Sequence, residues 1–165
     1  LLGHAATSDP QLRLWTILTK EAPLLGASAR APDGVENVAV FRRADGRFTM
    51  IYSEGLEQQH LALATSSDLV RWVDRGRLEL LAPGGAAAAH RLASGAAALQ
   101  RWMAGRYGAP HVWRDPASGC FTMALMGEYE VASHRSAVGL LTSADGERWE
   151  LLPERTEARS RGGGA

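Results

Sequence analysis

Apolar positions in this chain fall in short runs separated by turn chemistry. Val38, Val40 and Phe41 make one run, and residues 48–52, 61–65 and 72–81 make the next three. The runs are rich in β-branched and aromatic residues, which predicts strands. Ala44-Asp45-Gly46 divides the first two and predicts a tight hairpin. Four short antiparallel strands in succession predict one blade of a β-propeller. The same order returns at 110–113, 121–125, 137–142 and 149–152, with Gly-x-Phe-Thr-Met repeated at 46–50 and 119–123. That alignment sets Glu36-Asn37 opposite Ala109-Pro110-His111.

A second repeat runs through the first. Thr65-Ser66-Ser67-Asp68 with Trp72 recurs 77 residues later as Thr142-Ser143-Ala144-Asp145 with Trp149. A looser copy holds Thr7, Ser8, Asp9 and Trp15, and the apolar pairs Leu24-Leu25, Leu80-Leu81 and Leu151-Leu152 follow the tryptophans. Recurrence at a period of tens of residues marks repeat architecture. A residue restated in every copy has a structural cause, so Asp68 and Asp145 are expected in turns and Trp72 and Trp149 in equivalent buried places. The expected organisation is a partial propeller over 1–158. It comprises a blade tail at 1–25, a blade at 35–81, an insertion at 83–108 and a blade at 109–153, before a disordered tail at 159–165. The insertion is rich in Ala and Gly, and Leu92, Ala96, Leu99 and Met103 share one helical face. It reads as an inserted helix or a loop.

Composition narrows the function classes. The 165 residues carry 18 basic and 18 acidic side chains, interspersed, and 45% are apolar. This is enough for a core, and zero net charge argues against nucleic acid or an anionic membrane as main partner. No apolar run approaches the ~18 residues of a membrane span. Cys120 is alone and the five histidines are scattered, so neither a disulfide nor zinc-ligand spacing is present. "PGGAAAAH" lacks the lysine of a phosphate loop, and no Gly-x-Ser-x-Gly elbow occurs. No cofactor or metal is expected.

The blade endings "ALATSSDLVRW" and "GLLTSADGERW", and the order "GHAATSDPQLRLWTILTKEAPLL" then "VENVAVFRRADGRFTMIYS", carry a resemblance. Over roughly residues 3–153 the chain resembles the five-bladed β-propeller glycosidases of glycoside hydrolase families 32, 43, 62, 68, 117 and 130. The resemblance implies an all-β fold, a carbohydrate substrate, and catalytic carboxylates where innermost strands begin. One carboxylate activates water or attacks carbon, and one with a raised pKa protonates the leaving oxygen. By this resemblance Glu36 is the candidate general acid, partly buried beside apolar neighbours such as Val38. Asn37-Val38 stands where the family carries Cys-Pro or Gly-Pro. Asn37 and His111 are the candidate substrate contacts.

Asp115 in "WRDP" resembles the Arg-Asp-Pro motif of family 32. The internal repeat instead sets it opposite the Ala44-Asp45-Gly46 turn, and "DPASG" is turn chemistry in its own right. The implied activity is cleavage or transfer of glycosyl groups, of the β-fructosidase or α-arabinosidase type. A non-catalytic carbohydrate-binding or structural propeller is the alternative suggested by Ala109 and Asn37. A mannoside phosphorylase is another, since "GVEN" resembles the "G-x-E-D-P-R" of family 130. Rings close with about 4–8 blades. One tail and two blades therefore predict a piece of a longer propeller, lacking at least its N-terminal blades.

Overall fold

The computed structural model describes residues 2–18, 23–26, 28–55, 60–81, 103, 106–129 and 136–152. Eleven strands follow in order: β1 (Ala5–Ala6), β2 (Thr16–Ile17), β3 (Val35–Arg42), β4 (Phe48–Glu54), β5 (His60–Ser66), β6 (Val73–Arg77), β7 (Leu80–Leu81), β8 (Tyr107–Arg114), β9 (Phe121–Glu128), β10 (Ser136–Ser143) and β11 (Trp149–Leu151). No α-helix occurs among the described residues. Most of the proposed insertion and all of the proposed disordered tail lie outside them.

Two larger sheets carry the fold. The first has the order β3-β4-β5-β6 and the second β7-β11-β10-β9-β8, with β1-β2 a small third. Consecutive strands pair antiparallel, as incomplete propeller blades require. Strands alternate their side chains between two faces, and the two sheets pack face to face. Ile51, Leu61 and Leu63 of the first sheet meet Phe121, Met123, Leu125, Leu141, Trp149 and Leu151 of the second, with Leu80 and Met103 between. The other face of the first sheet, with Met50, Tyr52, Ala62 and Ala64, is covered by Ala31, Leu2, Leu24 and Leu25. The second sheet's other face stays open, with Met126, Val138 and Leu140 exposed.

The repeated turn has one construction in three places. Asp68 Oδ1 accepts the N–H groups of Val70 and Arg71 at 2.9 and 2.8 Å, and Asp145 Oδ1 those of Glu147 and Arg148 at 2.8 and 2.9 Å. Asp9 caps Gln11, Arg13 and Leu14 likewise. In each copy the indole N–H donates to a carbonyl three residues back: Trp15 to Leu12, Trp72 to Leu69, Trp149 to Gly146. All three carbonyl-bearing residues have positive φ, at 55°, 65° and 78°. The carboxylate closes the turn, and the turn's left-handed residue aims a carbonyl at the tryptophan.

Four expectations are corrected. Trp72 shares the local geometry of Trp149 but not its burial: Trp149 is fully buried between the sheets, whereas Trp72 is half-buried at the edge of the second cluster. The strand expected over 72–81 breaks after Arg77, and Leu80–Leu81 crosses to pair parallel with β11. Burial of Leu80 in the inter-sheet core drives that crossing. Leu151 belongs to the strand that Trp149 begins, so it is not the counterpart of Leu80. Finally, β8 starts at Tyr107, so the second blade takes two residues assigned to the insertion.

Candidate active site at the starts of the inner strands

The His60 and Tyr107 rings meet edge-on with centroids 6.4 Å apart, so one rim of the molecule collects Val35, Glu54, His60, Arg77, Tyr107 and Glu128. The opposite rim collects the hairpin turns at Asp45 and Asp115 and the repeat turns at Asp68 and Asp145. Both rims hold charges of both signs: Arg43 and Arg47 pair with Asp45 on the second, as Arg30 and Arg77 face Glu54 on the first.

Glu36 stands on the first rim. It pairs with Ser53 across the β3–β4 ladder, so the two side chains share a face. Ser53 alternates with Ile51, which lies in the inter-sheet core, so that face points to the second sheet. Ser53 Oγ is buried without a hydrogen-bond partner among the described residues, and such a buried hydroxyl is uncommon. Glu36 also acts electrostatically on Arg106, just before β8. Arg106 donates from Nη2 to Glu128 Oε1 at 2.8 Å, and its carbonyl accepts the Glu128 N–H at 2.8 Å. Glu128, and then Glu36, push the Arg106 guanidinium's pKa upward.

The backbone beside Glu36 is irregular. Between Glu36 and Ala39 the ladder slips by one residue, and the extra residue region contains Asn37 at φ 50°. The same slip lies between Gly108 and His111, with Ala109 at φ 51°. Bulges re-aim side chains at the rims of sheets. The matched bulges make Gly108 the counterpart of Glu36, and Ala109 the counterpart of Asn37. The alignment read from Gly-x-Phe-Thr-Met was one residue out here, because the second hairpin is longer. Arg42 pairs with Phe48, but Arg114 pairs with Phe121.

Asn37 is exposed at its bulge. His111 is exposed too, three residues beyond the level of Gly108, with its ring centroid 5.8 Å from that of Trp113. The structure therefore brings Glu36 and Asn37 together and leaves His111 further along the neighbouring strand. Asp115 caps a turn: Oδ1 accepts from Ala117 N at 3.0 Å and Oδ2 from Ser118 Oγ at 2.7 Å. Those bonds hold its carboxyl below the usual carboxylate range.

A second charged group lies behind Glu36, on the opposite face of the first sheet. Glu54 is 2% exposed and takes Arg30 Nη2 at 2.8 Å; the same Arg30 nitrogen reaches Asp74 Oδ2 at 2.6 Å. Tyr52 Oη donates to Asp74 Oδ1 at 3.3 Å. Arg77 Nε lies 3.9 Å from Glu54. Burial, then Asp74, pushes the Tyr52 phenol up. An open cavity of about 270 Å³ sits here, lined by Arg30, Asp33, Glu54, His60 and Arg77 among others. Burial, then Arg77, pushes the His60 imidazole below its ordinary value. Charges of both signs balance in this lining. Among the described residues no group of three His, Cys, Asp or Glu side chains is placed to hold a metal ion.

Sequence reasoning missed Ser53, Arg106, Glu128 and the Arg30–Glu54–Asp74 network. No motif joins them, since their partners lie 22 to 44 residues apart in the chain. The one available signal was Asn37, a residue that tolerates left-handed backbone inside an otherwise apolar strand.

An all-β fold of two face-packed sheets, each built on four consecutive antiparallel strands and the second joined by β7 in parallel, is consistent with incomplete blades of a β-propeller. No family model matches the chain, and no curated protein matches it. Solved structures do match. A glycosyl hydrolase from Bacteroides ovatus superposes with TM-score 0.56 at 18% identity, covering 93% of this chain and 39% of that one. A structure from the GH130 family of mannoside phosphorylases, which contains glycoside hydrolases that target β-1,2 mannosidic linkages in Candida mannan, gives 0.57 at 15%, covering 96% and 44%. Fructan 1-exohydrolase IIa from Cichorium intybus gives 0.52 at 12%, covering 74% and 21%. The chain shares its fold with these solved structures, and it spans about two-fifths of the length of the Bacteroides ovatus protein.

Proposed function

We propose that these blades belong to a carbohydrate-active propeller that cleaves glycosidic bonds, with Glu36 as its general acid. The observation that carries the reading is the position of Glu36. It begins an inner strand, beside a bulge, on the face turned to the next blade. A general acid needs a partly sheltered carboxyl within reach of the leaving oxygen. The half-buried Glu36 meets the first requirement. Asn37 and His111, both exposed on inner strands, are proposed as contacts to sugar hydroxyls. Substrates of the β-fructoside or α-arabinoside type fit the resemblance to families 32 and 43. The GH130 neighbour supports β-mannosides and phosphorolysis as the alternative chemistry.

Gly108 favours a second reading. The counterpart of Glu36 in the next blade has no side chain, so the two inner strands supply one carboxylate between them at this level. A propeller that binds glycans without cleaving them would need no more. Aryl glycosides separate the readings in a protein that carries these blades. Release of aglycone from a β-fructofuranoside, α-arabinofuranoside or β-mannoside, with and without phosphate, supports the enzyme. Saturable glycan binding with no release from any of them supports the binding module.

A further inference from the structure

We propose that the cavity beside the end of β4 is a binding subsite for one neutral sugar unit, held between Asp33 and Arg77 over the buried Glu54. The proposal rests on the carbohydrate reading above but not on Glu36, which is not among the cavity's walls. The space is about 270 Å³ and open to solvent. That is just under the ~300–1,000 Å³ of drug-sized sites, so it suits a single ring rather than a chain.

Charge decides the ligand class. Arg30 and Arg77 face Asp33 and Glu54 across the space, two charges of each sign. Burial pushes the His60 imidazole below its ordinary value, so near neutral pH it adds none. An anion would gain from the guanidinium groups but meet two carboxylates, and a cation would find the reverse. A neutral polyol uses both signs, because each hydroxyl donates and accepts. Arg30 is already committed, its Nη2 donating to Glu54 Oε1 at 2.8 Å and to Asp74 Oδ2 at 2.6 Å. Arg77 is not: its Nε lies 3.9 Å from Glu54 Oε2, beyond hydrogen-bond reach. Among the described residues neither the Asp33 carboxylate nor the Arg77 guanidinium makes a hydrogen bond. An acceptor and a set of donors thus face the same space, ready for neighbouring hydroxyls of one ring.

The walls are preformed. Arg30 fixes Glu54, Asp74 fixes Arg30, and Asp74 itself accepts the Gly76 N–H at 2.8 Å. The turn that carries Asp33 is tied to β4: Gly55 N–H donates to the Gly34 carbonyl at 3.1 Å, and Gly34 N–H to that of Ala31 at 3.0 Å. The His60 ring meets Tyr107 edge-on with centroids 6.4 Å apart, and with Pro32 it gives the cavity two apolar ring surfaces. A sugar ring divides in the same way, with apolar C–H faces and a polar edge. Walls already in place lose little ordering entropy when such a ring enters.

The test is a backbone amide NMR titration of the protein carrying these blades. Methyl glycosides of mannose, fructose and arabinose serve as neutral probes, and glucuronate and inorganic phosphate as anionic ones. At least one neutral probe should shift the amide signals of Gly34, Gly55 and His60 saturably, and bind there more tightly than either anion. Asp33→Ala and Arg77→Ala, both at exposed positions, should each weaken that binding by roughly tenfold or more, as loss of a charged hydrogen-bond partner does. Tighter binding of an anion, or unchanged affinity in either variant, overturns the subsite. Release of aglycone from aryl glycosides while these three signals ignore every sugar also overturns it, yet leaves the carbohydrate reading standing. Failure of that reading looks different: no sugar would bind anywhere on the protein and no aglycone would be released.

Discussion

Asn37 and Ala109 occupy the same bulge in successive blades, at φ values of 50° and 51°. Asparagine visits left-handed backbone readily, whereas alanine holds it against a Cβ clash of about 1–2 kcal/mol. Ala109→Gly should therefore stabilise the fold by roughly 1 kcal/mol, offset in part by the entropy of a freer unfolded chain. Asn37→Ala should destabilise it by a similar amount. Denaturant midpoints measured side by side check both signs.

Phe41 closes on Gly146 from the neighbouring blade. A Cβ at Gly146 would lie 2.7 Å from the Phe41 ring, and φ there is 78°. The same ring packs 4.9 Å from Phe121 and edge-on to Trp149 at 6.2 Å, and Arg43 next to it pairs with Glu147. Gly146→Ala should cost about 2 kcal/mol or more, from overpacking and backbone strain together. Leu69 holds the equivalent turn position at φ 65° without that neighbour. Leu69→Gly should be neutral or slightly stabilising in the same thermal melts.

Stability should fall with acid in two steps. His60 has its pKa lowered by burial and then by Arg77. The unfolded state therefore binds its proton first, and stability declines as pH drops through about 6.5. His60→Gln should remove this step. The turn aspartates come next. Backbone N–H groups of Arg71 and Val70 lower Asp68. At Asp145 burial works upward, but the N–H groups of Arg148 and Glu147 outweigh it. Their contribution is complete above the unfolded value and is lost as pH falls below about 4. Unfolding midpoints at pH 8, 5.5 and 3 resolve the two windows, and a flat profile across both would contradict the assignment.

The blades and their turns were legible in the sequence because local chemistry makes them. An aspartate that caps two N–H groups, and a tryptophan that takes a carbonyl three residues back, need only neighbours within a few positions. The turn at Asp115 was legible on the same ground. What escaped was set by distant partners. Leu80–Leu81 leaves its own blade to pair with Trp149–Glu150, about 70 positions on, where the inter-sheet core accepts Leu80. One additional residue in the second hairpin hid Gly108 as the counterpart of Glu36. Nothing near Arg106 in the chain announces that it pairs with Glu128.

The outer face of the second sheet presents Met126, Val138 and Leu140 at 40%, 70% and 42% exposure, and Leu12, Leu14 and Trp15 stand exposed near the small sheet. Open apolar sheet faces of this kind promote association. The chain by itself should self-associate in a concentration-dependent way, seen by sedimentation, and Val138→Lys with Leu140→Glu should reduce it. A stable monomer at high concentration would show that these faces are tolerated in water.

Turnover by Glu36→Gln and Asp115→Asn, compared in one active protein carrying these blades, bears most directly on the role of Glu36. Leaving groups of graded acidity should be used, since a missing proton donor hurts poor leaving groups most. Glu36→Gln should lower kcat by orders of magnitude with alkyl or sugar leaving groups and far less with nitrophenyl ones. Asp115→Asn should leave kcat nearly unchanged and cost at most about 1 kcal/mol of stability. Loss of activity in Asp115→Asn, with Glu36→Gln still active on every leaving group, would contradict the assignment and move the catalytic carboxylate to the far rim.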